Sequence, residues 1–214
     1  MRFISFISIV LLTVSPVLGN SADFSEADVI VSSGISQGAY PGAQLIIGDD
    51  EGILFERYYG NYTYDEFSGP VTEESIYDLA SVTKVIATTS AIMKLYDAGL
   101  IDLNASVSLY LPDFTSNGKD NITVLNLLLH NSGLEAFVPF YTLYNDPSEV
   151  LQHINGMSLS YPTGSKTVYS DLNAILLGKI VEKISGQSLD EYCSVNIFIP
   201  LGMRSTCFRP EGSL

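Results

Sequence analysis

Over residues 82–96 apolar side chains recur at three-and-four spacing, at Val82, Val85, Ile86, Ile92, Met93 and Tyr96, and Gly99 follows. That period belongs to a helix that buries one face, and a glycine just past the last periodic residue supplies its stop. The same reasoning predicts a helix over 172–185, with Leu172, Ile175, Leu176, Ile180 and Ile184 on one side and Gly186 at the end. Two shorter helices flank it. Thr123 can cap the apolar run through Leu125, Leu127, Leu128 and Leu129, which stops at Asn131-Ser132-Gly133. Ser188, with Glu191 three residues on, has capping-box spacing for a segment that ends before Pro200.

Ahead of this helical block the pattern differs. Residues 25–37 have helix-like spacing and stop at Gly38, with Pro41-Gly42 breaking the chain beyond. Two β-rich runs, 43–48 and 53–59, then flank the polar turn Asp49-Asp50-Glu51-Gly52, as an antiparallel hairpin requires. An early hairpin followed by a long helical region predicts an α+β fold, with 214 residues enough for one sizeable core.

The chain meets an exporting system if its start is read physically. Arg2 gives a positive beginning, residues 3–14 are apolar, and Val17-Leu18-Gly19 ends in a small residue suited to cleavage, so 1–19 reads as a signal peptide and 20–214 as the mature domain. Ser5, Ser8, Thr13 and Pro16 interrupt the apolar stretch, which is short for a membrane-spanning helix. A secreted or periplasmic protein without stable membrane insertion is expected. Its 10 Lys and Arg against 24 Asp and Glu give a formal charge of -14, which repels a phosphate backbone and argues against nucleic acid as a partner. Cys193 and Cys207 could close one disulfide in an oxidising compartment, worth ~3 kcal/mol, or remain two unpaired thiols; spacing leaves both open. Asn61, Asn104 and Asn121 each open a glycosylation acceptor triplet. No His, Cys, Asp or Glu spacing resembles a metal site, no glycine-rich phosphate loop follows a strand, and no cofactor is implied.

Ser81-Val82-Thr83-Lys84 puts a hydroxyl at the start of the first long helix and an amine one turn later, close enough for proton exchange. The helix N-terminus adds free backbone N–H groups and a positive potential that suits a developing oxyanion. A second match, Ser116-Asn117-Gly118-Lys119, falls in a polar stretch without a helix to fix its geometry and is read as chance. Each member of the first match also has a plain structural explanation: Ser81 as an N-cap worth about 1 kcal/mol, Lys84 as a solvated helix residue, Tyr169 as packing.

The company of the first match decides between these. Leu79-Ala80-Ser81-Val82-Thr83-Lys84, then Leu127-Leu128-Leu129-His130-Asn131-Ser132-Gly133-Leu134, then Pro162-Thr163-Gly164 leading to Tyr169-Ser170-Asp171, resembles the serine β-lactamase and penicillin-binding-protein family at its class C and esterase-like end. The resemblance runs from Pro41-Gly42-Ala43 to Pro200-Leu201-Gly202-Met203. It implies a helical region packed on an antiparallel sheet, with Ser81 acylated and Lys84 and Tyr169 sharing the proton work. Many relatives carry Asn where this chain has Asp171, a carboxylate that would hold Lys84 as ammonium and leave Tyr169 the principal base. His130 sits at a helix end, where a cap and turn role suffices, and His153 has no partner in sequence.

The family's later strand motif, Lys-Thr-Gly or His-x-Gly, is not found, and Ser165-Lys166-Thr167 is no substitute because no Gly follows and it precedes Tyr169. Missing C-terminal strands, an exposed sheet edge and an uncovered helical face are therefore expected. The resemblance implies a serine hydrolase acting through an acyl-enzyme on an ester, amide, D-alanyl peptide or β-lactam carbonyl. Because that motif supplies an oxyanion donor worth about 3 kcal/mol, the chain by itself is expected to act as a fragment with little turnover. The alternative is an inactive, secreted binding module of the same fold. Small molecules or peptides are the expected substrates, and sequence leaves the oligomeric state open.

Overall fold

The computed structural model describes residues 23–210, so the expected signal peptide over 1–19 lies outside the described residues. The chain divides into two units, Met1–Leu79 and Ala80–Leu214. In the first, the Asp23 carboxylate accepts the Ser25 N–H at 2.9 Å at the start of helix α1 (Ser25–Ser36), and Gly38 beyond the helix takes a φ of +73°. Strand β1 (Gly42–Gly48) then pairs antiparallel with β2 (Ile53–Gly60), with a register shift at Ile47/Gly48. The turn is tightened by Asp49, whose carboxylate accepts the N–H groups of Glu51 and Gly52 at 2.9 and 3.1 Å.

What fastens α1 to the hairpin is Asp28. Its two carboxylate oxygens take Arg57 Nη1 and the Tyr59 hydroxyl, each at 2.7 Å, while Phe24 packs on Phe55 with ring centroids 5.6 Å apart. The Tyr59 phenol is pushed up to about 12, first by burial and then by the bond to Asp28. Among the described residues the sheet has two strands, and Ile46, Ile53 and Leu54 stand exposed on it, as expected for an edge without further neighbours.

The second unit is helical. A π-helical stretch Lys84–Thr89 runs into α2 (Ser90–Asp97), followed by α3 (Val107–Tyr110), α4 (Val124–Leu128), α5 (Phe140–Leu143), α6 (Pro147–Gly156), α7 (Asp171–Ser185) and α8 (Leu189–Cys193). Its core gathers Ile92, Leu95, Phe114, Leu127, Leu172, Leu176 and Ile180. The predicted capping role of Thr123 is present as a reciprocal box with Asn126, and Gly186 ends α7 at a φ of +72°.

Two expectations need correction. The buried face of the first long helix is Ala87, Thr88, Ala91, Ile92 and Leu95, whereas Val85, Met93 and Tyr96 are exposed. The buried stripe keeps helical spacing but is built partly of the small residues Ala87, Thr88 and Ala91, while the larger apolar side chains Val85, Met93 and Tyr96 fall outside it. The result is an apolar face along 85–96, bordered by a shallow groove between Ile92, Met93, Tyr96, Leu103 and Leu128. Secondly, Ser188 makes no side-chain cap to α8. Its hydroxyl is drawn to the Asp190 carboxylate instead, and the Leu189 N–H is taken by Glu182 Oε1 at 3.3 Å. Of the two states left open for Cys193 and Cys207, the structure has free thiols: Cys193 is buried, Cys207 exposed, and burial with the nearby Asp190 charge pushes the Cys193 thiol up to about 11.

The second Ser-x-x-Lys match has a structural role. Lys119 is fully buried, and its ammonium donates to the carbonyls of Ser116 at 3.1 Å, Asn155 at 3.0 Å and Met157, tying the loop before α4 to the end of α6. Among the described residues no helix is long and apolar enough to cross a membrane.

Gly133 sits where the chain leaving α4 passes the backbone of Tyr161. At its φ of +99° an added Cβ would lie 2.5 Å from the Tyr161 carbonyl oxygen. Gly133→Ala is expected to destabilise the helical unit by on the order of 2 kcal/mol, read as a lower urea midpoint at unchanged slope.

Candidate active site

Ser81 and Lys84 are placed by the turn that opens the π-helical stretch. The Thr83 N–H donates to the Ala80 carbonyl at 3.2 Å and the Lys84 N–H to the Ser81 carbonyl at 3.1 Å, which starts the helix at the serine. Just before it Ala80 is held at a φ of +45°, a region non-glycine residues occupy only when their surroundings over-determine it. Ser81 is exposed at the surface. Its hydroxyl accepts from Lys84 Nζ at 2.9 Å.

Lys84 joins three groups. Besides Ser81, its Nζ lies 2.9 Å from Asp171 Oδ1, and the centroid of the Tyr169 ring is 5.3 Å away. Burial opposes the charge, but the Asp171 carboxylate and the Tyr169 phenol outweigh it and hold the ammonium above its ordinary value. An ammonium that donates to a hydroxyl oxygen has no lone pair with which to take that hydroxyl's proton. Four sequence-predicted residues, Ser81, Lys84, Tyr169 and Asp171, are thus brought around one nitrogen.

The other two motifs form the frame that delivers Tyr169 and Asp171. Residues 130–136, leaving α4, run beside residues 160–171, which enter α7. Backbone bonds link them along their length: Gly164 N–H to the Asn131 carbonyl, Val168 N–H to the His130 carbonyl and Asp171 N–H to the Ala136 carbonyl, each at 2.8 Å. Ser170 caps α7 and donates its hydroxyl to the Glu135 carbonyl at 2.6 Å.

His130 has the expected turn role, at a φ of +54°, and a further one. Its Nδ1 accepts the Ser170 N–H at 3.1 Å, and its ring packs against Tyr169 with centroids 4.8 Å apart. Burial and the Lys84 charge hold the imidazole below its ordinary value against the pull of Asp171. His153 is placed elsewhere, with Nδ1 2.8 Å from the Tyr144 hydroxyl.

Sequence reasoning passed over Asn173 and Ser132. Both are fully buried, and Ser132 Oγ donates to Asn173 Oδ1 at 2.7 Å, clamping the frame to α7. The available signal was an amide within the apolar stripe of α7, beside Leu172 and Leu176, where a polar residue needs a buried partner. Among the described residues no group of three or more His, Cys, Asp or Glu side chains could hold a metal ion.

The family model described as Beta-lactamase matches residues 27–213, and the chain belongs to that family. It is 33% identical over 204 residues to the N-acetylmuramyl-L-alanine amidase of Bacillus subtilis (strain 168), covering 86% of this chain and 46% of the relative. It is 35% identical over 223 residues to a Salmonella agona (strain SL483) protein provisionally named D-alanyl-D-alanine carboxypeptidase, covering 94% and 51%. Among solved structures, the octameric penicillin-binding protein homologue from Pyrococcus abyssi matches at a TM-score of 0.74 with 27% identity, over 86% of this chain and 44% of that one. The chain spans about half the length of the curated relatives it matches.

In Asp171→Asn, only Tyr169 remains to offset the burial of Lys84, and the ammonium is expected to titrate at lower pH than in the parent. NMR titration of the labelled lysine side chain measures this. An unmoved Lys84 titration would show that the carboxylate does not hold the proton.

Proposed function

We propose that this chain carries the acylation centre of a serine hydrolase, with Ser81 as nucleophile, Tyr169 as base and Lys84 as a fixed positive charge. The observation that carries the reading is the bond from Lys84 Nζ to Ser81 Oγ within an ammonium that also pairs with Asp171. The donated proton favours negative charge on Oγ and keeps Lys84 from acting as the base. Tyr169, acting from its deprotonated form beside the same ammonium, takes the Ser81 proton while Oγ bonds to the substrate carbonyl carbon. That proton then goes to the leaving group as its bond to carbon breaks, and water releases the acyl group from Ser81 in a second step.

The substrate class is an ester or amide, with peptides ending in D-alanine ahead of β-lactams. The names of the amidase and carboxypeptidase relatives support an acyl group drawn from wall peptides. Export through the N-terminal segment to a secreted or periplasmic setting fits such substrates. Acylation of Ser81 is the step to measure.

Fluorescent penicillin labelling, followed in time, tests the assignment. Ser81→Ala is expected to abolish the label, and Tyr169→Phe to slow it by roughly 10²- to 10⁴-fold. Labelling of Tyr169→Phe at the parent rate would remove the phenol from the mechanism. Ser81-independent labelling would favour a binding module over an enzyme.

A further inference from the structure

His130 touches three consecutive residues of the Tyr169 segment. Its carbonyl accepts the Val168 N–H at 2.8 Å, its ring lies on Tyr169, and its Nδ1 accepts the Ser170 N–H at 3.1 Å. Among the described residues no other bond reaches the backbone N–H groups of 168 and 170. The imidazole thus adds the bond to the Ser170 N–H and the ring contact on Tyr169 to a segment also held by the Ser170 hydroxyl on the Glu135 carbonyl and the Asp171 N–H on the Ala136 carbonyl.

The proton positions on that imidazole follow from its neighbours. Ser132 Oγ accepts the Leu134 N–H at 3.2 Å, so its own hydrogen goes to Asn173 Oδ1, 2.7 Å away. With Oδ1 thus occupied, Asn173 presents its Nδ2 hydrogens to His130 Nδ1 at 3.3 Å. Nδ1 then faces two N–H donors, from Ser170 and Asn173, and must carry a lone pair. The ring proton of the neutral imidazole is on Nε2.

We propose that His130 is a positioning residue for Tyr169, fixing the phenol's place beside Lys84 while Nδ1 is bare and loosening it, by giving up the Ser170 N–H, when Nδ1 is protonated. This rests on the acyl-transfer reading of the site. The charged and titratable groups that face the ring are Lys84, which repels an added proton, Asp171, which attracts one, and Tyr169 itself; Ser170 and Asn173 of α7 face it as neutral donors. A protonated Nδ1 would point a hydrogen at two others, so the bond to Ser170 cannot survive it. Because burial and Lys84 hold the imidazole below its ordinary value of 6.5, the bond to the Ser170 N–H is in place at neutral pH and is lost as pH falls through the acid range.

Two variants and one titration test this. His130→Asn keeps a carbonyl acceptor near the Nδ1 position, tolerates the positive φ and cannot be protonated in this range, while His130→Phe keeps the ring and loses the acceptor. In the parent, the acylation rate is expected to fall on the acid side with the midpoint at which His130 itself titrates by NMR, and the Ser170 amide to lose exchange protection over the same interval. His130→Asn should flatten that acid limb. His130→Phe should be slower by roughly tenfold or more at every pH, with its unfolding midpoint reported alongside. An acid limb unchanged in His130→Asn, or a Ser170 amide that stays protected while His130 titrates, would overturn the proposal. If Ser81 is not acylated at any pH, the acyl-transfer reading fails, and the amide titration of the parent still decides whether His130 holds the Tyr169 segment.

Discussion

An ammonium in a partly buried place has three protons to direct, and those of Lys84 are aimed at Ser81 Oγ, at Asp171 Oδ1 and toward the side of Tyr169. The rest of the helical unit can be understood as the means of holding those partners around one nitrogen. Ser81 comes from the turn that opens a helix, while Tyr169 and Asp171 come from the entry to another helix some ninety residues later in sequence. Burial pulls against the charge, and the carboxylate together with the Tyr169 phenol outweighs it and holds the ammonium. In the proposed reaction that charge makes Tyr169 rather than Lys84 the base.

The frame behind this centre is made of backbone bonds. Residues 130–136 and 160–171 lie side by side through the bonds of Gly164, Val168 and Asp171, so the two apparently separate sequence motifs are one structural object. Buried polar side chains then lock it: Ser132 and Asn173 satisfy each other, and His130 reads the backbone on both sides of Tyr169. Such a network is rigid when every member has its partner, which is the requirement for keeping a phenol in register with a distant lysine.

Much of this was legible in the chain. The hairpin followed from two β-rich runs around an acidic turn, and α7 from its period and its terminal glycine. The four residues around the reactive centre were legible through the order and spacing of three motifs. What was hidden has physical causes. The buried stripe of the first long helix includes the small residues Ala87, Thr88 and Ala91, so the larger apolar side chains beside it drew the expected face away from the buried one. Ser188 carries capping-box spacing, but a neighbouring carboxylate competes for its hydroxyl. The pairing of Ser132 with Asn173 spans 41 residues and depends on how the frame folds back, which local pattern cannot encode.

The location of a covalent adduct tests the central claim most directly. The full chain is incubated with a slowly released penicillin, digested, and each serine-bearing peptide weighed. The account predicts one added acyl group, confined to the peptide holding Ser81, while the peptide with Ser116 beside the carbonyl-caged Lys119 stays unmodified. An adduct on Ser116 or spread over several serines would contradict it.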